Sequence, residues 1–263
     1  MSRLTWADMP ANIRTAVIDQ TGPVTAAHDI PDGYNCLAAV VLDTPAGQVF
    51  VKATGPDGSA LREASLGPVV TGIGPRFRWF VAVDGWHITG HDALPAARHT
   101  QLDPGSGDLP LLADLLARAA RIPAPSHLPA WADQWTAHAT PAELAHLRGD
   151  TLIHGDINQH NALISGGRAW LVDWDTASRG PAWVDTAEAV VRAMEDGCGA
   201  EEARAFAEGV PAWRAASAAG VQAWADVRCR AFTAAIGAHD ARHFVGRHQA
   251  LVAARGRAVH AAV

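Results

Sequence analysis

The chain has 263 residues, 49% hydrophobic and 18% charged, with a formal net charge of −6; this suits a globular protein of one large domain or two lobes. The negative balance and the lack of any basic run argue against a nucleic-acid partner. No apolar run reaches the ~20 residues that span a bilayer, and "MSRLTWADMP" lacks a signal peptide's apolar core, so the expectation is a cytoplasmic protein with no membrane partner. Cys36, Cys198 and Cys229 are far apart and form no CxxC pair, which reads as small buried thiols rather than a metal or redox site. Every cation but one is arginine; the single lysine is Lys52.

Pro10 to Gln20 predicts a short helix closed by Gly22 and Pro23. Val24–Ile30, Cys36–Asp43 and Gln48–Thr54 follow as extended segments joined by the turn-forming "PDGYN" and "TPAG". "DGSALREASLGP" predicts a helix of about two turns, with Ser59 as N-cap and Gly67-Pro68 as its stop. "RFRWFVAV" and "WHITG", about the turn Asp84–Gly85, complete a five-stranded antiparallel sheet with one helix.

Beyond Gly90 the pattern turns to helices and loops. "PGSGDLP" reads as a linker before the apolar-faced "LPLLADLLARAARI". In "ATPAELAHLRGD", Thr140 and Glu143 predict a capping box with Pro141 at the first helical position. Residues 151–174 then read as strand, polar loop, strand, the turn Gly166–Gly167, and strand. From Pro181 the chain is Ala-rich and helical, punctuated by Gly197, Gly199 and Pro211. The fold class expected is α+β: residues 1–90 as a small sheet lobe, residues 91–263 as a larger, mainly helical one.

The polar loop "HGDINQHN", residues 154–161, is too rich in polar groups for a turn between two buried strands. It carries His154, Asp156 and Asn161 in the H-x-D-x-x-x-x-N arrangement of kinase catalytic loops. Asp173 follows a dozen residues later. Phosphoryl transfer asks the protein mainly for positioning and charge neutralisation. Magnesium prefers hard oxygen ligands and keeps several waters, so Asn161 and Asp173 suffice as its protein ligands. Asp156 is placed to orient an acceptor hydroxyl and take its proton. Lys52 is a compact cation suited to the α- and β-phosphates. A carboxylate must steady it, and Glu63 is the only glutamate between Lys52 and Glu143, with Asp57 as the second choice.

With "VFVKA", "REASL", "WHITGHDAL", "LIHGDINQHNALI" and "LVDWDTASRGPAWVDTAE" in this order over residues 49–188, the chain resembles the aminoglycoside phosphotransferase and choline kinase-like family. These are small-molecule kinases with the protein-kinase-like fold. The resemblance implies ATP or GTP as co-substrate, Mg2+ as cofactor, and a small hydroxylated acceptor such as an antibiotic, in a monomer or homodimer. It also implies that Trp86–Gly90 is the hinge, with the Trp86 carbonyl and Ile88 amide meeting the base. Asp185 matches the acid that supports the catalytic loop, and His154 is structural. The chain departs from the pattern in having no GxGxxG; "PDGYN" offers one glycine, with Asn35 as an alternative phosphate contact.

Two rival readings stand beside this one. The first is a metal-dependent hydrolase with His154, Asp156 and His160 as ligands. The second is an inactive kinase-fold binding module. Trp183, Trp213 and Trp224 are candidates for lining a pocket, and Glu195, Asp196, Glu201 and Glu202 for an acidic rim around one amine.

Overall fold

The computed structural model describes residues 3–31, 36–56 and 59–261, with side chains as far as residue 256. In chain order the elements are α1 (Ala11–Thr21), β1 (Ala26–Asp29), β2 (Ala38–Thr44), β3 (Gly47–Thr54), α2 (Ser59–Leu66), β4 (Phe77–Val83), β5 (Trp86–Asp92) and β6 (Arg98–His99). There follow α3 (Asp108–Ala119), α4 (Pro141–His146), β7 (Thr151–Ile153), β8 (Ala162–Ser165), β9 (Arg168–Leu171), β10 (Ser178–Gly180), α5 (Val184–Glu195), α6 (Ala200–Ala207), α7 (Pro211–Ala215), α8 (Ala218–Ile236) and α9 (Ala238–Ala261). The chain forms two compact units, Met1–Arg98 with Leu163–Thr176, and His99–Ala162 with Ala177–Val263. The sequence pattern put the change at residue 90 and kept 163–176 in the second part.

The first unit is built on the five-stranded antiparallel sheet, in the order β1-β2-β3-β5-β4. Side chains alternate faces along a strand. Val49, Val51 and Ala53 therefore share one face of β3 and bury against Ile13 and Val17 of α1. Lys52, one residue out of phase, points the other way. Gly90 lets β5 pass under the Trp79 indole, which a Cβ there would overlap. The β8–β9 stretch joins this unit through Leu171, whose N–H donates to the Ile73 carbonyl at 2.8 Å. It is joined again through Arg62, whose guanidinium donates to the Asp175 carbonyl at 2.6 Å.

The second unit is mainly helical among the described residues and carries the antiparallel pair β7–β10. The capping box forms as the sequence predicts: Thr140 Oγ1 accepts the Glu143 N–H and Glu143 Oε2 accepts the Thr140 N–H. Helix α4 ends at His146, and Gly149 is needed for a different reason, because a Cβ there would meet the backbone of Gly180 and Pro181. Trp213 and Trp224 are fully buried and Trp183 nearly so, hence core rather than pocket wall. All three cysteines are free thiols, Cys198 buried and the other two partly so. Among the described residues no helix is long and apolar enough to cross a membrane.

Candidate active site

In the first unit, three residues distant in sequence meet. Lys52 Nζ lies 2.5 Å from Glu63 Oε1 and 2.6 Å from Asp173 Oδ1. The central strand supplies the lysine and α2 the glutamate. The aspartate sits two residues past β9, just before a 3-10 turn at Trp174–Thr176. Asp173 is held at φ 65°, a left-handed conformation that a short polar side chain tolerates better than most. Lys52 is buried and Asp173 about one-third exposed. Burial opposes the ammonium charge, but Glu63 and Asp173 outweigh it and hold the lysine pKa above its ordinary value. Burial pushes the Glu63 carboxyl up to about 7; Lys52 pulls against the rise and Asp173 adds to it.

In the second unit, the polar loop's backbone is satisfied by its own side chains and by α5. Asp185, in the first turn of α5, accepts the His154 N–H at 2.8 Å and the Gly155 N–H at 3.0 Å. Burial lifts its carboxyl above the ordinary range, with His154 and the two amides pulling it back. His154 is fully buried, and its Nδ1 accepts the Asp156 N–H at 3.3 Å. Asn158 Oδ1 accepts the N–H groups of His160 and Asn161. That accounts for much of the polar excess: these side chains fold the loop. Asn161 Nδ2 donates to the Asp156 carbonyl at 3.0 Å and to its carboxylate Oδ2 at 2.9 Å. The amide's nitrogen is thereby committed and its oxygen is the donor left for a cation, while Asp156 stays 44% exposed. Asn161 and Asp173 are both hard oxygen donors of the kind magnesium takes, so their chemistry fits that ion.

One charged neighbour of Asp156 was not foreseen from the sequence. Arg192, on α5, brings Nη2 to 4.0 Å from Asp156 Oδ1. It lies seven residues after Asp185, two helical turns along the same face. That spacing was the available signal, once Asp185 is known to touch the loop.

Three expectations need correction. Residues 86–90 do not form a hinge. They belong to β5, which runs between β3 and β4, and Ile88 faces Ala53 on one side and Val81 on the other. Backbone groups in a central strand are taken up by the ladder, and Ile88 is fully buried; Trp86 lies at the opposite end of β5 from the chain's exit. The hydrolase reading also fails. His154 is internal, His160 packs edge-on against His99, and no group of three or more His, Cys, Asp or Glu suited to a metal exists among the described residues. The acidic rim is largely spent: Glu195 and Glu201 are in ion pairs with arginines, and Glu202 accepts the Gly105 N–H. The "PDGYN" glycine, Asn35 and Asp57 lie outside the described residues.

Residues 86–219 match the sequence profile of the phosphotransferase enzyme family. No protein with a curated description matches. Among solved structures, the chain is similar to a thermostable mutant of aminoglycoside phosphotransferase APH(4)-Ia in complex with ADP and hygromycin B. The TM-score is 0.59 at 14% identity, covering 93% of this chain and 99% of that one. Choline kinase LicA from Streptococcus pneumoniae gives 0.58 at 14% identity, with 92% and 98% covered. Amicoumacin kinase hAmiN, in complex with AMP-PNP, Ca2+ and Ami, gives 0.60 at 12% identity, with 94% of each chain covered. At such identities the likeness establishes the kinase-like α+β fold.

Proposed function

The chain belongs to the phosphotransferase enzyme family, and from that premise we propose that it moves the γ-phosphoryl group of ATP, or of GTP, to a hydroxyl of a small molecule. The acceptor is an antibiotic such as an aminoglycoside, or a related hydroxylated metabolite, and the protein acts in the cytoplasm, where the nucleotide is supplied, as a monomer or homodimer. A role in antibiotic resistance goes with an antibiotic acceptor. The observation that carries this reading is the meeting of Lys52, Glu63 and Asp173, with residues 52 and 173 separated by 121 positions yet 2.6 Å apart. An arrangement costly in buried charge suits a site that neutralises a polyphosphate.

Glu63 fixes the Lys52 ammonium, whose compact charge faces the α- and β-phosphates. Asn161 and Asp173 are the residues that would hold Mg2+, which when bound would neutralise charge on the transferring phosphoryl group. Asp156 orients the acceptor hydroxyl and takes its proton, its carboxylate steadied by the Asn161 amide at 2.9 Å. Asp185 keeps the loop in the conformation that presents Asp156. Since β5 is internal to the sheet, the base contacts are assigned to the chain just beyond Asp92, in place of Trp86 and Ile88. Nucleotide binding belongs to the first unit and acceptor binding to the second.

The test is ATP and GTP consumption with Mg2+ across a panel of hydroxylated antibiotics and metabolites, with product identified by mass spectrometry. Acceptor-dependent ADP or GDP release that disappears in Asp156→Asn supports the assignment. Nucleotide turnover insensitive to that substitution rejects it.

A further inference from the structure

The exposed carboxylate of Asp156 has a guanidinium beside it, which bears on what the acceptor can be. Arg192 Nη2 is 4.0 Å from it, and the Arg192 side chain is 38% exposed, so the two present a shared open surface. Behind Arg192 the acids are already engaged. Glu195 binds Arg192 at 2.7 Å and Arg247 at 2.6 Å. Glu188, buried one turn before Arg192, binds Arg228 at 2.8 Å. Asp156, Glu188 and Glu195 thus each have an arginine within 4.0 Å. An acceptor amine approaching Asp156 would compete with the Arg192 guanidinium for that carboxylate, whereas an acceptor oxygen could accept from it. Juxtaposed like charges select against a partner.

We propose that Arg192 is a specificity-determining residue: it reads an oxygen, carboxylate or neutral, next to the reacting hydroxyl, and excludes acceptors with an ammonium group there. The proposal rests on the phosphotransferase reading above and narrows its acceptor class to neutral or anionic polyhydroxy compounds, away from aminoglycosides and amino alcohols. The only acid of the expected rim without an ion pair or backbone bond of this kind is Asp196. It has Glu195 and Asp103 near it but also Arg192.

A matched series tests this: gluconate, glucitol and glucamine, which share a chain of hydroxyls and differ at one terminal carbon. Phosphorylated product and binding in the presence of ADP and Mg2+ are measured for the full chain, Arg192→Gln and Arg192→Glu, with melting curves to verify folding. The expected order for the unaltered protein is gluconate and glucitol about tenfold or more above glucamine in kcat/KM or affinity. Arg192→Gln should narrow the gap and Arg192→Glu should favour glucamine. A preference for glucamine or for an aminoglycoside in the unaltered protein overturns the proposal. So does an order that Arg192→Glu leaves unchanged, or an equal fall for all three acceptors, which would place Arg192 on the phosphoryl group. Failure of all three to bind or react also overturns it. Basal ATP hydrolysis lost in Asp156→Asn would leave the phosphotransferase reading standing in each of these cases.

Discussion

Lys52 Nζ, in bonding contact with two carboxylates, sits where shape matters as much as charge. An arginine would bring a planar fork with five donors in place of a compact ammonium. Its nitrogens cannot reach Glu63 and Asp173 from the same point. Lys52→Arg is expected to lower kcat/KM roughly a hundredfold, the scale of a displacement of about 1 Å in a reacting group; steady-state kinetics with ATP reads it. Asp156→Asn keeps the Asn161 contact by size but removes the base. Turnover should fall by about 10²–10⁴-fold, while the Kd for ATP, from titration calorimetry, stays within a few fold. Equal losses in both quantities would point to a folding defect instead. These residues were legible because spacing alone, H-x-D-x-x-x-x-N and a lone lysine, confines them. Arg192 was not, since its seven-residue spacing from Asp185 becomes a signal only once Asp185 is known to touch the loop.

At the scale of elements, helix α4 is short and depends on its ends. Glu143 closes the capping box and also binds Arg230 of α8 at 2.7 Å. The Arg230 bond, then the Thr140 amide, hold its carboxyl down at about 2. Its folded pKa is below the unfolded one, so the stability it contributes is full above about pH 4.5 and is lost as pH falls toward 2. Glu143→Ala should lower stability by about 1 kcal/mol and flatten the pH dependence in that window, as followed by urea denaturation at stepped pH. Gly149→Ala works through sterics: the added methyl would meet the Gly180–Pro181 backbone, which cannot rotate away. A loss of about 1–3 kcal/mol is expected, visible as a lower Tm. A Tm equal to that of the unaltered chain would show that the two segments do not pack as described.

For the whole molecule, two histidines, His248 buried and His91 half-buried, set an acid limit. Burial holds His91 and His248 down to about 4; Lys52 also lowers His91, while the Phe244 carbonyl partly opposes the shift at His248. Both are depressed below the ordinary 6.5, so between pH 6.5 and 4 the unfolded chain binds protons that the folded one refuses. Their contribution to stability therefore falls as pH drops through this window, by about 1.4 kcal/mol per pH unit for each such proton, while the raised Glu63 carboxyl works in the opposite direction. Replacing His248 by phenylalanine, which suits its stack with Trp224 and Phe244, should remove its share, so that ΔG falls less steeply on acidification. An unchanged slope of ΔG against pH would mean that His248 is not the group responsible.

The sequence by itself determined the five strands and their helix, the capping box, and the loop that carries Asp156 and Asn161; the bracing roles of Asp185 and His154 came from the family resemblance. The former follow from local chemistry: period-two burial, turn residues, caps, or a spacing within one loop. Only the tertiary structure decided that the strand "WHITG" lies inside the sheet, between β3 and β4, and is not also a hinge, because a strand's two neighbours cannot be read from its own residues. It alone returned residues 163–176 to the first unit and set Arg192 beside Asp156. Both depend on which faces meet once buried charge has found its partners, and partners dozens of positions or more away leave no mark in the local order of side chains.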